Sequence, residues 1–491
     1  MLIQKRGEAG AAAGALSRGG GRMLLAGGAL FVIAVGAYLA MAAGRPADFW
    51  VMNDLKIYRL AGLVARHSGP LYQVRFLRQG LGFTYPPFAA AVFDALAVGP
   101  IAVLKVLITA ASLLSLVAAA WLSWGAAGVR APAARAGAAL AVAGIALWTD
   151  PVQQTLGFGQ VNLILMVIVL ADLCQRDDLW WKGAGTGLAA GFKLTPAIFI
   201  VYLLITRRFR AALVCAAAFG LSVAAGFAVL PGASRQYWLD GLFLNFERPG
   251  GTSYVSNQSL RGVISRLYGG PAAGRPAWLA ATFVVAAAGL LVAAWAHRRG
   301  QELTGIVACA ITGLLVSPVS WDHHWVWIVP ALVAVLAAAR RHGAGLGGRP
   351  PNTPRSASLG GRPPNTPRSA SLGGRPPNTP RSAALGGRPP NTPRGSFLAW
   401  AGAIALTGVF LTYPVTANRA APVMPEGLIW TVPAGGIHEF RWHGAQLLTG
   451  NLYAIAGIAI LCALALVLAR TRSAASPPPS VAPSPDARGR P

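Results

Sequence analysis

Long apolar blocks recur along this chain and limit what it can fold into more than any other feature. They lie at 23–43, 88–98, 101–125, 134–148, 160–174, 183–205, 208–230, 276–296, 303–317, 325–339, 397–415 and 449–470. In hydrocarbon, each unpaired backbone amide or carbonyl costs several kcal/mol, so such blocks read as helices. The alternating pattern of a membrane β-barrel is absent. Only 12% of the residues are charged and the mean hydropathy is +0.52. A soluble domain carries about a quarter charged residues. The expected fold class is an all-α integral membrane protein with roughly 10–12 transmembrane helices. Its outer loops are expected to carry short helices.

The charge sits between the blocks. The net charge of +27 comes from 42 Lys and Arg against 15 Asp and Glu. Nucleic acid is a poor explanation in so apolar a chain. Basic residues on cytoplasmic loops orient helices instead, and a repeat supplies much of the rest. LGGRPPNTPR starts at Leu346, Leu359, Leu372 and Leu385, a period of 13 residues. Pro, Gly and Asn at that density cannot build a core. The chain therefore reads as a cytoplasmic basic arm (1–22), a membrane module (23–340) and a disordered basic loop (342–396). C-terminal helices (397–470) and a disordered cytoplasmic tail (471–491) follow. Deleting residues 346–394 is expected to leave activity intact, measured on membranes carrying the shortened protein. The four cysteines, Cys174, Cys215, Cys309 and Cys462, form no CxxC pair and read as small buried hydrophobes.

Arg207–Arg210, His297–Arg299 and Arg470–Arg472 fit one side with the N-terminal arm and the repeat. Parity then puts the outer loops 44–86, 231–275, 318–324 and 416–448 on the opposite face. Block 88–98 is too short for about 30 Å of hydrocarbon at 1.5 Å per residue, which suggests a re-entrant segment. Block 183–205, with Lys193 and Pro196, suggests two half-helices.

Chemistry is expected where polar residues interrupt or edge these blocks. Asp54, with Tyr58 and Arg59 behind it, opens a short amphipathic segment after the first block. Two readings stand for it. It is a general base placed at a membrane surface, or a helix N-cap favoured by the helix dipole. Lys193 lies inside a block, where an ammonium is costly and marks either function or a snorkelling side chain. Further polar groups are Tyr85, Gln160, Asn162, Asn257, Gln258, Arg261 and Trp321. His323 and His324 are adjacent, and neighbours on a helix point about 100° apart, which suits a phosphate better than a metal ion. No metal site is expected. One carboxylate facing several cations at a membrane surface suits transfer from an anionic lipid phosphate to a hydroxyl.

These runs, Asp54…Tyr58-Arg59, Thr84-Tyr85-Pro86-Pro87, Gly159-Gln160-Val161-Asn162, Lys193-Leu194-Thr195-Pro196, Asn257-Gln258-Ser259 and Ser317 to His324, resemble glycosyltransferase family 87. The likeness covers about residues 24–340 and, more weakly, 397–470. It implies a GT-C type fold in the cell membrane and a metal-independent, inverting α-1,2-mannosyl transfer on the periplasmic face. It implies polyprenyl-phosphate-mannose as donor and co-substrate, with no further cofactor. The acceptor would be a mannosylated phosphatidylinositol or a mannan chain. Asp54 would be the base. Lys193, Arg261, His323 and His324 would bind the donor phosphate. Tyr58, Arg59, Tyr85, Gln160, Asn162, Asn257, Gln258, Trp321 and Trp442 would contact substrate. Trp442, with His438, Glu439, Arg441 and His443, lies in the loop where acceptor contacts are expected. The rival reading is a transporter or flippase, which would also show a broken helix and an intramembrane lysine.

Overall fold

The computed structural model describes residues 2–78, 80–248, 250–344, 393–413 and 426–470. The tandem repeat up to residue 392, residues 414–425 of the last outer loop and the 471–491 tail lie outside the described residues. Six helices are long and apolar enough to cross a membrane: Gly19–Gly44, Ile101–Ala126, Phe209–Val229, Arg275–Arg298, Asp322–Arg340 and Leu452–Ala469. Five shorter apolar helices join them: Pro87–Ala97, Pro132–Ala146, Thr195–Ile205, Glu302–Val316 and Trp400–Phe410. Asp150–Phe158 and Asn162–Leu173 form a further pair, bent by 116°. Together these account for the apolar blocks of the sequence, although fewer than a dozen are long enough to cross as straight rods. Two short antiparallel pairings, Arg75–Phe76 with Leu81–Gly82 and Thr412–Tyr413 with Glu426–Gly427, are the only strands among the described residues.

Block 183–205 is indeed interrupted. Ala184–Phe192 ends where Lys193 turns extended, at φ −144° and ψ 125°. A 3-10 turn at Thr195–Ala197 then leads into Ile198–Ile205. Pro196 cannot donate to a continuing helix, which fixes the break beside the lysine.

Small residues let helices approach. A Cβ on Gly27 would lie 2.0 Å from the Gly137 carbonyl oxygen, and one on Gly137 would lie 2.3 Å from that of Met23. Backbone contact of this kind is the usual basis of helix association in lipid, where apolar burial gains little. Gly137→Leu is expected to cost at least the ~1–3 kcal/mol of overpacking, read as a lower thermal midpoint in detergent.

The helices have chemically distinct ends. At one end Arg208 pairs with Glu302 at 2.8 Å, His297 with Glu302 at 2.7 Å and Lys182 with Asp177 at 2.6 Å. Glu302–Val316 starts in that network and ends at Ser317, which leads to the Trp321–His324 turn. Fifteen residues at 1.5 Å each separate the two ends by about 22 Å. The polar motifs therefore collect at the end opposite the basic clusters.

Candidate active site

Asp54 sits in the first turn of the helix Asn53–Arg66. The cap position is Met52, left-handed at φ 46°, and no side chain caps this helix. The Asp54 carboxylate instead accepts from Gln160 Nε2 at 2.5 Å. Gln160 is positioned by the bend between the two helices at 150–173. Gly159 takes φ +68° there, and a Cβ on it would lie 2.8 Å from that of Leu55. Glycine thus meets both the backbone angle and the close approach that bring Gln160 to Asp54.

The other face of the Gln160 amide is fixed by two phenols. Tyr58 and Tyr85 both donate to Oε1, at 2.7 and 2.9 Å. Gln160 Nε2 also lies 3.4 Å from His323 Nε2. The His323 ring in turn meets Asp322 Oδ1 at 3.1 Å through Nδ1. Asp322 is fully buried and also accepts from Ser256 at 3.0 Å. The His323 carbonyl is held by Asn162 Nδ2 at 2.8 Å and by Thr155 at 3.2 Å. Lys193 donates to Asn162 Oδ1 at 2.7 Å, lies 3.0 Å from His324 Nε2 and sits 5.3 Å from the Tyr85 ring centre. It is therefore turned inward to the motif residues, not drawn out along the helix.

These groups surround a cavity of ≈ 600 Å³. Asp54, Tyr58, Tyr85, Gln160, Lys193, Trp321, His323 and His324 line it. Burial raises the Asp54 pKa above the ordinary carboxylate value, against the opposing pull of His323, Gln160 and Lys193. A second, much smaller pocket of ≈ 50 Å³ adjoins the cavity. Leu165, Met166, Phe199 and Leu314 line it, and it shares Lys193, Thr195 and His324 with the main cavity.

Other residues singled out in the sequence lie elsewhere. Arg261 pairs with Glu247 at 2.8 Å, stacks on Phe246 and Trp278, and does not line the cavity. Its partner is a carboxylate of its own loop, and its Nε and Nη1 are buried without one. Arg59 donates from Nε to the Gly99 carbonyl at 3.1 Å and does not line the cavity. Asn257 and Gln258 are fully buried. Asn257 Nδ2 donates to Thr252 at 2.9 Å and its Oδ1 accepts from the Ser320 amide at 2.9 Å. Gln258 Nε2 donates to Val255 at 2.6 Å and to Gly450 at 2.8 Å. Both stitch outer loops together and have no face on the cavity. Trp442 is buried, donates to the Pro433 carbonyl at 2.8 Å and packs on Gly450. From the 426–448 stretch it is Trp430 that reaches the cavity. Arg248, Arg75, Tyr237 and Tyr254 line it as well, and nothing in the residue order marks them out. Among the described residues no cluster of three or more His, Cys, Asp or Glu is arranged to hold a metal ion.

Known proteins are similar to this chain over much of their length. The model of glycosyltransferase family 87 matches residues 83–318. A Mycobacterium tuberculosis H37Rv protein is 33% identical over 313 residues, covering 60% of this chain and 72% of that protein. It is named polyprenol-phosphate-mannose-dependent alpha-(1-2)-phosphatidylinositol mannoside mannosyltransferase. A Mycolicibacterium smegmatis protein of the same name is 35% identical, covering 59% of this chain and 71% of its own length. A M. tuberculosis CDC 1551 protein, named for phosphatidylinositol pentamannoside, is 36% identical over 64% of this chain and 73% of its own length. No solved structure matches. With such identity over more than two thirds of each relative, and with its own match to the family model, this chain belongs to glycosyltransferase family 87.

Proposed function

We propose that this protein transfers mannose from polyprenyl-phosphate-mannose to a 2-hydroxyl of a mannosylated phosphatidylinositol, with inversion, on the extracytoplasmic face of the cell membrane. The observation that carries the reading is the placement of Asp54 in one cavity with Lys193, His323 and His324. The relatives' names supply the donor, the linkage and the acceptor class. The cavity lies at the end of the helices remote from the basic clusters, which supports an outer-face site.

In this mechanism the Asp54 carboxylate takes the proton of the acceptor hydroxyl. That oxygen bonds to the anomeric carbon from the side opposite the phosphate. The anomeric C–O bond breaks and its electron pair leaves on the phosphate oxygen. Lys193 and His324 stand where that charge develops. Gln160, fixed by Tyr58 and Tyr85, holds the base in place.

The test is purified protein with polyprenyl-phosphate-mannose and phosphatidylinositol mannosides of increasing length. The expected product carries one added α-1,2-linked mannose, identified by linkage analysis. Absence of transfer to every acceptor overturns the reading. Lys193→Met is expected to lower the rate by about 10²-fold, as loss of one charge-stabilising donor does.

A further inference from the structure

The charge on the cavity wall is out of balance. Asp54 is its one carboxylate, against Lys193, Arg75 and Arg248. The transfer chemistry above uses Lys193 and leaves both arginines without a task. Neither arginine has a carboxylate within ion-pair distance among the described residues. Arg248 is nonetheless held firmly. It donates from Nη1 to Phe83 and from Nη2 to Thr84 at 3.2 Å. Its guanidinium lies 5.1 Å from the Tyr72 ring centre and 6.0 Å from that of Tyr237. Its Nε is buried without a partner. Arg75 approaches from the hairpin Arg75–Phe76/Leu81–Gly82, where a Cβ on Gly82 would come within 2.9 Å of Nη1. Two guanidinium groups that share a wall without a carboxylate repel each other unless an anion lies between or upon them. A planar fork clamped on aromatic faces is suited to a phosphoryl group.

Resting on the proposed transfer, we propose that Arg248, with Arg75 beside it, forms a second anion subsite that takes a phosphoryl oxygen of a lipid substrate. The segment Phe83–Tyr85 separates it from the first. Arg248 holds the carbonyls of Phe83 and Thr84, while Lys193 lies against the ring of Tyr85. The phosphoryl group belongs either to the donor or to the phosphodiester of the acceptor. The chemistry is shared, and substrate kinetics separate the two.

The experiment compares wild type with Arg248→Met, Arg248→Lys and Arg75→Met. It measures KM for polyprenyl-phosphate-mannose, KM for a mannosylated phosphatidylinositol, and the rate on octyl mannoside, which has no phosphate, at saturating donor. Arg248→Met is expected to raise one lipid KM by about 10- to 100-fold, the scale of a lost charge-assisted contact. Arg248→Lys should recover part of it, and Arg75→Met should raise the same KM by about 3- to 10-fold. A raised acceptor KM with an unchanged rate on octyl mannoside assigns the subsite to the acceptor phosphodiester. A raised donor KM assigns it to the donor. Unchanged values for both lipids, or an equal fall in kcat on every acceptor with both KM values kept, overturns the subsite and leaves Arg248 a loop clamp. Titration of polyprenyl phosphate and of the phosphatidylinositol mannoside, followed by tryptophan fluorescence of wild type and Arg248→Met, tests the subsite even if wild type transfers no mannose. That last result would refute the reaction alone.

Discussion

Asp54→Asn is expected to lower mannosyl transfer by about 10²- to 10⁴-fold, the range of a lost general base. The substitution keeps the shape of the side chain. An amide oxygen still accepts from Gln160 Nε2, so the network of Gln160, Tyr58 and Tyr85 survives. Thermal stability in detergent should therefore match wild type while kcat collapses and both KM values hold. The pH dependence gives a second readout. The base works only as the carboxylate, and burial raises its pKa. The acid limb of kcat/KM should then lie above the ordinary carboxylate range, with rate rising as pH climbs through it. His323 and Lys193 lower that pKa, so replacing either should move the limb further toward alkaline pH. Asp54→Asn should abolish the limb in whatever activity is left. Near-normal transfer by the variant would remove Asp54 from the role of base.

The parts of the site that the sequence disclosed share a physical reason. Lys193, Gln160 and the His323–His324 pair stand inside or at the edge of apolar blocks, where a polar group without a task is costly. Arg248 had no such background. It lies in a polar loop with Arg235 and Arg261, and nothing in the residue order separates the three. Only the fold pairs Arg261 with Glu247 and turns Arg248 toward the cavity. Asn257-Gln258-Ser259 misled in the opposite direction. A run of amides and hydroxyls looks the same whether it faces a sugar or closes loops over one another. Here every one of these side chains finds its partners in the protein. The break at Lys193 was legible because Pro196 enforces it. The 116° bend was not, since Gly159 reads equally as part of a ligand motif until its positive φ is seen.

Arg266→Met carries the largest expected cost in stability. Arg266 lies in the helix Leu260–Leu267, and its side chain is buried. Burial pulls its pKa down to about 9, which measures how poorly that environment suits a charge. Neutral oxygens compensate it. Nε and Nη2 donate to Asn451 Oδ1 at 2.9 and 2.6 Å, Nη1 to Tyr254 at 3.0 Å and Nη2 to Asn257 at 3.1 Å. The guanidinium also covers the Trp442 ring, 5.6 Å from its centre. Methionine fills much of the space but satisfies none of these acceptors. Leaving several of them buried and unpaired is expected to cost about 3–5 kcal/mol. The readout is a fall in the thermal midpoint, with Arg266→Lys intermediate because an ammonium lacks the planar fork. An unchanged midpoint would show that water or loop movement replaces these bonds. The damage should also reach the cavity. The Asn257 carbonyl that Arg266 holds belongs to the residue whose side chain accepts from the Ser320 amide, next to Trp321 and His323. A loosened Asn257 lets that turn drift, and His323 and His324 drift with it. Transfer by the folded fraction of Arg266→Met should therefore fall too, through a site displaced rather than a group removed.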